Sequence, residues 1–263
     1  MSDERVCVTI DSNGVAEVVL NRPAKMNALD DAMFVGLQAA LERLHRQPAL
    51  RAVVLHGEGR AFCAGLDLAS FQRLAGPGLD GPLADLLTRR DGPANAAQQV
   101  VWGWRRLPVP VLAAVHGVAF GGGLQIALGA DLRLLHPQAR MSVMELRWGL
   151  VPDMGGIALL TELLRPDHAR ELVYTAKVVD AAEAVSLGLA TRLSEDPLAE
   201  ARALAAEIAS RSPQAVRAAK RLFNGASPVN AEAVLMAESL EQLRLIGSPE
   251  QVAAVRAAAG GRA

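Results

Sequence analysis

Val6, Val8 and Ile10 alternate with Cys7 and Thr9, the period of two that puts one side of an extended segment in a core and the other toward solvent. Ser12-Asn13-Gly14 then supplies a turn and VAEVVL follows, so this opening stretch is predicted to form a β-hairpin. The period lengthens over NRPAKMNALDDAMFVGLQAALERLHRQ, where Met33, Leu37, Ala40, Leu41 and Leu44 share one helical stripe and Asp30 or Asn27 can cap the first turn. RAVVLHGEG reads as a buried strand. The alternation continues with a helix near 94–106, a strand at 109–115, a helix at 122–129, strands at 131–135 and near 140–144, and a helix near 156–164. Strands alternating with helices predict an α/β core.

Residues 72–100 hold Gly76, Pro77, Gly78, Gly81, Pro82, Gly92 and Pro93, a composition that predicts a mobile segment able to act as a lid. Asp180 and Glu183 have capping-box spacing ahead of AAEAVSLGLA, which Gly188 ends before a short strand, ATRL. From Pro197 onward the pattern is almost wholly helical, with three segments, 197–211, 213–223 and 230–246, rich in alanine and leucine. These stripes exceed what a lone helical tail can hide, so they are expected to pack on a neighbouring subunit as well. The expected division is a core over 1–196 and a helical oligomerisation region over 197–263. No repeat, heptad array or low-complexity tract is visible in the sequence.

Composition narrows the class. The chain has 263 residues, 51% of them hydrophobic and 21% charged, enough for one large core or a core with an appendage. A net charge of -1 with 3% aromatic residues argues against a nucleic-acid surface. The start, MSDERVCVTI, lacks an apolar signal segment, and no run approaches the ~18 apolar residues that span a bilayer, so a cytoplasmic protein without membrane contact is expected. Cys7 and Cys63 lack CxxC spacing and the five histidines are scattered, which points to neither a disulfide framework nor a metal site.

The candidate chemistry begins at Gly121-Gly122-Gly123, which interrupts VPVLAAVHGVAF and leads at once into LQIALGA. A strand running through glycines into a helix presents free amides to a negative oxygen, and the missing Cβ atoms let the backbone approach it. AFCAGLDL at 61–68 offers a second amide, and MELRWGLVPDMGG at 144–156 two carboxylates. Together they suggest enolate chemistry. Nucleophilic catalysis by Cys63 or His116 is not supported, since Cys63 has no general base in sequence and no GxSxG elbow is present.

NRPAKMNAL, AFCAGLDL, VHGVAFGGGLQIALGADLRL and the Glu145–Gly156 block, in this order over residues 5–225, resemble the successive signatures of the enoyl-CoA hydratase/isomerase, or crotonase, family, and DAAEAVSLGLA fits as a fifth. The resemblance implies a spiral of ββα units with a helical C-terminal trimerisation region, assembled as a homotrimer or dimer of trimers and binding acyl-CoA thioesters. Ala64 and Gly122 match the family's oxyanion donors. Their plain alternative is a tight strand exit and a close packing turn.

Glu145 matches the family's catalytic glutamate, and a carboxylate in a dry pocket has its pKa raised into the working range; an ion pair with Arg147 or Arg140 is the alternative. Asp153 resembles the second acid of the dienoyl-CoA isomerase branch, or else serves as an N-cap. Gln125 departs from the pattern, because hydratases similar to this chain carry glutamate there, and glutamine orients water without accepting a proton; it could equally be a buried amide satisfied by backbone. Lys25, Met26, Ala64, Gly65, Leu66 and Asp67, with Lys220, are the resemblance's candidates for contact with CoA. Asp67 also reads as a turn-structuring residue, Trp148 as acyl-pocket or core, and the lysines as surface charges. The expected activity is double-bond isomerisation in an enoyl- or dienoyl-CoA, with hydration of a 2-enoyl-CoA as the runner-up and thioester hydrolysis or CoA binding without turnover behind it. No cofactor or metal is expected, since the thioester is the electron sink.

Overall fold

The computed structural model describes residues 4–74, 76, 81–89, 92–225, 232, 235–236, 239–240, 242–243 and 246–260. The first period-two segment forms β1 (Val6–Ile10) and β2 (Val15–Leu20), antiparallel with Val6 opposite Leu20. β2 runs parallel to β3 (Ala52–Gly57), β3 to β4 (Val111–Val115), β4 to β6 (Leu132–Leu135) and β6 to β9 (Arg192–Leu193), giving a six-stranded sheet in the order β1-β2-β3-β4-β6-β9. β3 and β4 are buried along their whole length, as continuous apolar strands of a covered parallel sheet must be.

A second sheet holds β5 (Val118–Phe120), β7 (Arg140–Ser142) and β8 (Val179–Asp180), with β5 parallel to β7 and β8 antiparallel to it. Cys63 joins it through a parallel bridge to Ala119. The chain therefore visits the large sheet, the small sheet and then a helix, three times in succession. The units are β3, Cys63 and α2 (Leu68–Leu74); β4, β5 and α4 (Gly122–Leu128); β6, β7 and α5 (Gly156–Leu163). This is the ββα architecture that the resemblance implied. It leaves no sequence repeat because the units share pairing but not length: the second strand of the first is a single bridge, and a 3-10 turn, Glu145–Trp148, separates β7 from α5 in the third.

Local chemistry explains the element ends. Asp30 caps α1 (Asp31–His45) by accepting from the Met33 amide at 2.8 Å. Asn27 is instead buried, and its amide donates to the carbonyls of Glu58, Ala61 and Phe62, which fixes the loop ahead of the small sheet. Asn95 and Gln98 form a reciprocal capping box on α3 (Ala96–Arg106), and Asp180 caps α7 (Ala181–Leu187), which ends at Gly188 with φ of 92°. Sequence reading passed over α2 and α6 (Pro166–Thr175), and it gave no bounds for a final helix, Pro249–Gly260, within the stretch expected to be helical. In α6 only Ala169, Leu172 and Val173 are buried, a stripe too narrow to stand out.

The helical region after Pro197 begins inside the fold. α8 (Pro197–Ala209) lays Ala201 and Ala205 on Ala52, Val54, Leu112, Ala114 and Leu134 of the large sheet. α9 (Pro213–Gly225) follows, with Leu222 and Phe223 exposed by 74% and 79%. Within the expected helix 230–246, positions 232, 235, 236, 239, 240, 242 and 243 are helical, and the remainder, apart from Ile246, lies outside the described residues. So do 75, 77–80, 90 and 91 of the expected lid.

The small sheet and α4 approach at backbone contact. A methyl group on Gly123 would lie 2.3 Å from the Cys63 carbonyl oxygen, so α4 can seat only without it. Gly123→Ala is expected to destabilise the fold by about 1–3 kcal/mol or more in denaturant titration; an unchanged midpoint would contradict this close approach.

Candidate active site

Three chain segments leave the small sheet side by side. Cys63 pairs with Ala119 and Ala119 with Met141, so the stretches that follow, Ala64–Leu66, Phe120–Gly122 and Ser142–Glu145, emerge at one level. The first two touch. Gly65 has φ of +89°, and a methyl there would lie 2.6 Å from the Phe120 oxygen and 3.7 Å from the Gly122 nitrogen.

Backbone bonds decide which amides face the site. Ala64 N–H donates to the Met26 carbonyl at 2.9 Å, so it is spent within the chain and cannot serve as the oxyanion donor that the sequence suggested. Leu29 N–H donates to the Gly65 carbonyl at 2.8 Å and Asp67 N–H to the Leu29 carbonyl at 2.9 Å. In an extended segment successive amides point to opposite sides, so Leu66 N–H faces away from Leu29, and among the described residues it has no acceptor. Gly121 N–H donates to Ser142 and Gln125 N–H to Gly121, which leaves Gly122 N–H equally free. Leu66 and Gly122 each stand three residues beyond the paired Cys63 and Ala119. The candidate donor pair is thus Leu66 with Gly122. Alternation in AFCAGLDL carried the signal, and a register one pair off hid it.

Glu145 opens the 3-10 turn and its Oε1 accepts from Gln125 Nε2 at 2.6 Å, while Oε2 is occluded without a partner. A Cβ on Gly121 would sit 3.3 Å from Oε1, so the carboxylate lies over the glycine turn. The ion pairs with Arg140 or Arg147 do not form among the described residues. Asp153 is 6% exposed, and its Oδ2 is likewise occluded and unpartnered. It is not a helix cap, since α5 starts behind Gly155, whose φ of 95° ends the loop without a side-chain cap. Burial pushes the Glu145 carboxyl up to about 7, and burial together with the charge of Glu145 pushes Asp153 up to about 7.

Gln125 is the buried amide satisfied by backbone that the sequence offered as one of its two readings. It is 1% exposed, its Oε1 accepts from the amides of Met154 at 3.0 Å and Gly156 at 2.9 Å, and its nitrogen is thereby turned to Glu145. It is both a satisfied buried amide and a direct contact of the catalytic candidate.

The candidates for CoA contact separate. Lys25 is exposed at the end of the turn Pro23–Lys25, and Met26 follows with φ of 49°, its carbonyl holding Ala64. Asp67 structures its turn: burial opposes its charge, but hydrogen bonds from Arg22 at 2.6 Å and the Ala69 amide at 2.8 Å outweigh this and hold it below the usual carboxylate range. Lys220 requires a correction. Its ammonium is buried, bonded to Asp131 at 2.7 Å and to the carbonyls of Trp104 and Val109, so it staples α9 to the core and is not presented to a phosphate.

Trp148 stacks on Phe71 with ring centroids 4.5 Å apart, in an apolar cluster with Leu74, Leu150 and Val255. Cys63 is buried, its thiol donates to the Asn27 carbonyl, and burial raises its pKa to about 12, which removes it from nucleophilic chemistry. Sequence reading also missed Gln242, which is buried, accepts from the Val151 amide at 3.3 Å and favours the ionised form of Asp153. A cleft of about 840 Å3 lies elsewhere, between α1, α3 and residues 81–96, with Glu42, His45 and Arg106 on its walls. Neither free amide nor either acid lines it, so the site is assigned from the convergence of those groups and not from cavity size.

Both acids bind protons more tightly folded than unfolded, so stability falls as pH rises from the ordinary carboxylate range through about 7. Glu145→Gln and Asp153→Asn are each expected to raise stability at pH ~8 by roughly 1–3 kcal/mol and to flatten its pH dependence between pH ~4 and ~8. Equal pH dependence in variants and parent would contradict the burial of the pair.

The Enoyl-CoA hydratase/isomerase family model matches residues 11–254. A putative enoyl-CoA hydratase of Thermus thermophilus is 34% identical over 218 residues, covering 82% of this chain and 83% of that one. A probable enoyl-CoA hydratase of Mycobacterium tuberculosis is 34% identical over 259 residues, 96% of each. A carnitinyl-CoA dehydratase of Proteus mirabilis is 34% identical over 83% of this chain and 80% of its own. A crystal structure of an enoyl-CoA hydratase/isomerase from Mycobacterium paratuberculosis superposes with a TM-score of 0.86 at 28% identity, covering 97% of this chain and 98% of that one. With the fold, the free amides and the acids in place, the chain belongs to the enoyl-CoA hydratase/isomerase family.

Proposed function

We propose that the chain moves a double bond along an unsaturated acyl-CoA. The thioester oxygen docks on the amides of Leu66 and Gly122, and Glu145 takes the proton from the α-carbon. The electron pair passes into the carbonyl, and the resulting dienolate collapses as Asp153 returns a proton at the γ-carbon. Each amide is worth ~2.7–4 kcal/mol to such an oxyanion. The thioester itself accepts the electrons, so no cofactor or metal takes part in this scheme.

One observation carries the choice of reaction: two buried acids, each with an occluded unpartnered oxygen and a pKa near 7, where one can give a proton while the other takes it. Gln125 supports it from the other side. Its oxygen is committed to two backbone amides and its nitrogen to Glu145, so it cannot act as a base toward water.

Hydration of a 2-enoyl-CoA is the second reading, favoured by the names of relatives called enoyl-CoA hydratases. The same proposal includes a homotrimer or dimer of trimers that covers exposed Leu222 and Phe223.

A panel of 3-enoyl-, 2-enoyl-, dienoyl- and hydroxyacyl-CoA compounds in D2O tests the assignment. A shift of the double bond without addition of water, with deuterium entering at the γ-carbon, is expected, together with an Asp153→Asn loss of roughly 10²–10⁴-fold. Gln125→Glu is expected to raise water addition. Fast hydration by the unaltered protein without isomerisation would defeat the proposal.

A further inference from the structure

Gln242 reaches the acids from the C-terminal stretch, far in sequence from the small sheet that places Glu145. It is 4% exposed, and its Oε1 accepts from the Val151 amide at 3.3 Å. With that oxygen held by the Val151 amide, the nitrogen is the end left to bear on Asp153, whose ionised form Gln242 favours. Gln125 makes the matching arrangement on the other acid, with its oxygen on the amides of Met154 and Gly156 and its nitrogen on Glu145. Two carboxamides from distant elements thus anchor their oxygens on the 151–156 loop, Gln125 donating its N–H to Glu145 and Gln242 leaving its nitrogen beside the loop that carries Asp153.

An amide donor stabilises the ionised form of a carboxyl group and fixes which of its oxygens is left open. We propose that Gln242 is a positioning residue for Asp153: it leaves Oδ2 free to exchange a proton and sets the pH range in which that exchange occurs. The inference rests on the isomerisation reading, which uses Asp153 as the second acid. Among the described residues, Glu145 is the charged group that bears on Asp153, and it opposes ionisation where Gln242 favours it.

The stretch that delivers Gln242 is itself held. Ser239 Oγ accepts from Asn95 at 2.9 Å and Arg89 at 3.1 Å, and the Leu235 carbonyl accepts from Gln98 at 2.7 Å. Farther along, Gln251 packs on Gly149, where a methyl would meet its Cα at 2.8 Å. Proton delivery is in this way tied to the docking of the C-terminal region on α3 and on the loop after Glu145.

Gln242→Met keeps the side-chain volume and removes the donor. It is expected to lower kcat for isomerisation of a 3-enoyl-CoA by about tenfold with KM little changed, and to move the alkaline limb of kcat/KM upward by about one pH unit. Without substrate, denaturant unfolding at about pH 5 and about pH 8.5 should show the larger stability loss at the higher pH, where Asp153 is ionised. A merely structural role predicts equal losses and an unmoved pH profile, and that result overturns the proposal.

If Gln242→Met does not fold, Gln242→Glu serves the same readouts, because a third carboxylate should raise the alkaline limb further. An unmoved limb in that variant overturns the proposal as well. A wild-type protein that does not isomerise, combined with a pH-selective stability loss in Gln242→Met, supports the assignment of Gln242 while sinking isomerisation.

Discussion

The site depends on the parallel register of the small sheet. Because Cys63, Ala119 and Met141 lie abreast, three loops that are remote in sequence end at the same height, and each contributes one element of the chemistry within a few residues of the sheet. Two loops contribute amides and the third an acid. Glycine makes this possible at Gly65, where φ of +89° and the nearby Phe120 carbonyl leave no space for a side chain, and at Gly123, where α4 rests on the Cys63 carbonyl. Sheet register, rather than any single motif, brings the groups together.

Around that frame the protein keeps two carboxyl groups in a setting that disfavours their charge. Glu145 and Asp153 are held near neutrality by burial, and the charge of the first raises the second. Such an arrangement costs stability and yields groups able to exchange protons near pH 7, which is where functional carboxyls are tuned. The two glutamines temper the cost. Each has its oxygen held by backbone donors of the 151–156 loop, which sets the side on which its nitrogen lies.

Much of this was legible in the sequence, and the omissions have physical causes. Apolar periodicity located α1, α3, α4 and the long strands because each buries a continuous face. Asp30 and Asp180 marked helix starts correctly because capping is local. The choice of Ala64 failed because an amide's direction depends on which neighbour takes its hydrogen bond, here the Met26 carbonyl, and that is a long-range fact. Lys220 failed for a related reason: a lysine is expected at the surface, and only packing reveals Asp131 and two carbonyls around it. Gln242 was invisible because nothing in its own neighbourhood of sequence points to Asp153. Short α6 and α2 escaped because narrow buried stripes resemble loops.

The account stands most directly on where a bound thioester places its oxygen. A crystal structure with a slowly reacting acyl-CoA should show that oxygen about 2.7–3.1 Å from the nitrogens of both Leu66 and Gly122, with the α-carbon beside Glu145 Oε2. An oxygen bound at the Ala64 nitrogen, or one lying away from Gly122, would contradict it.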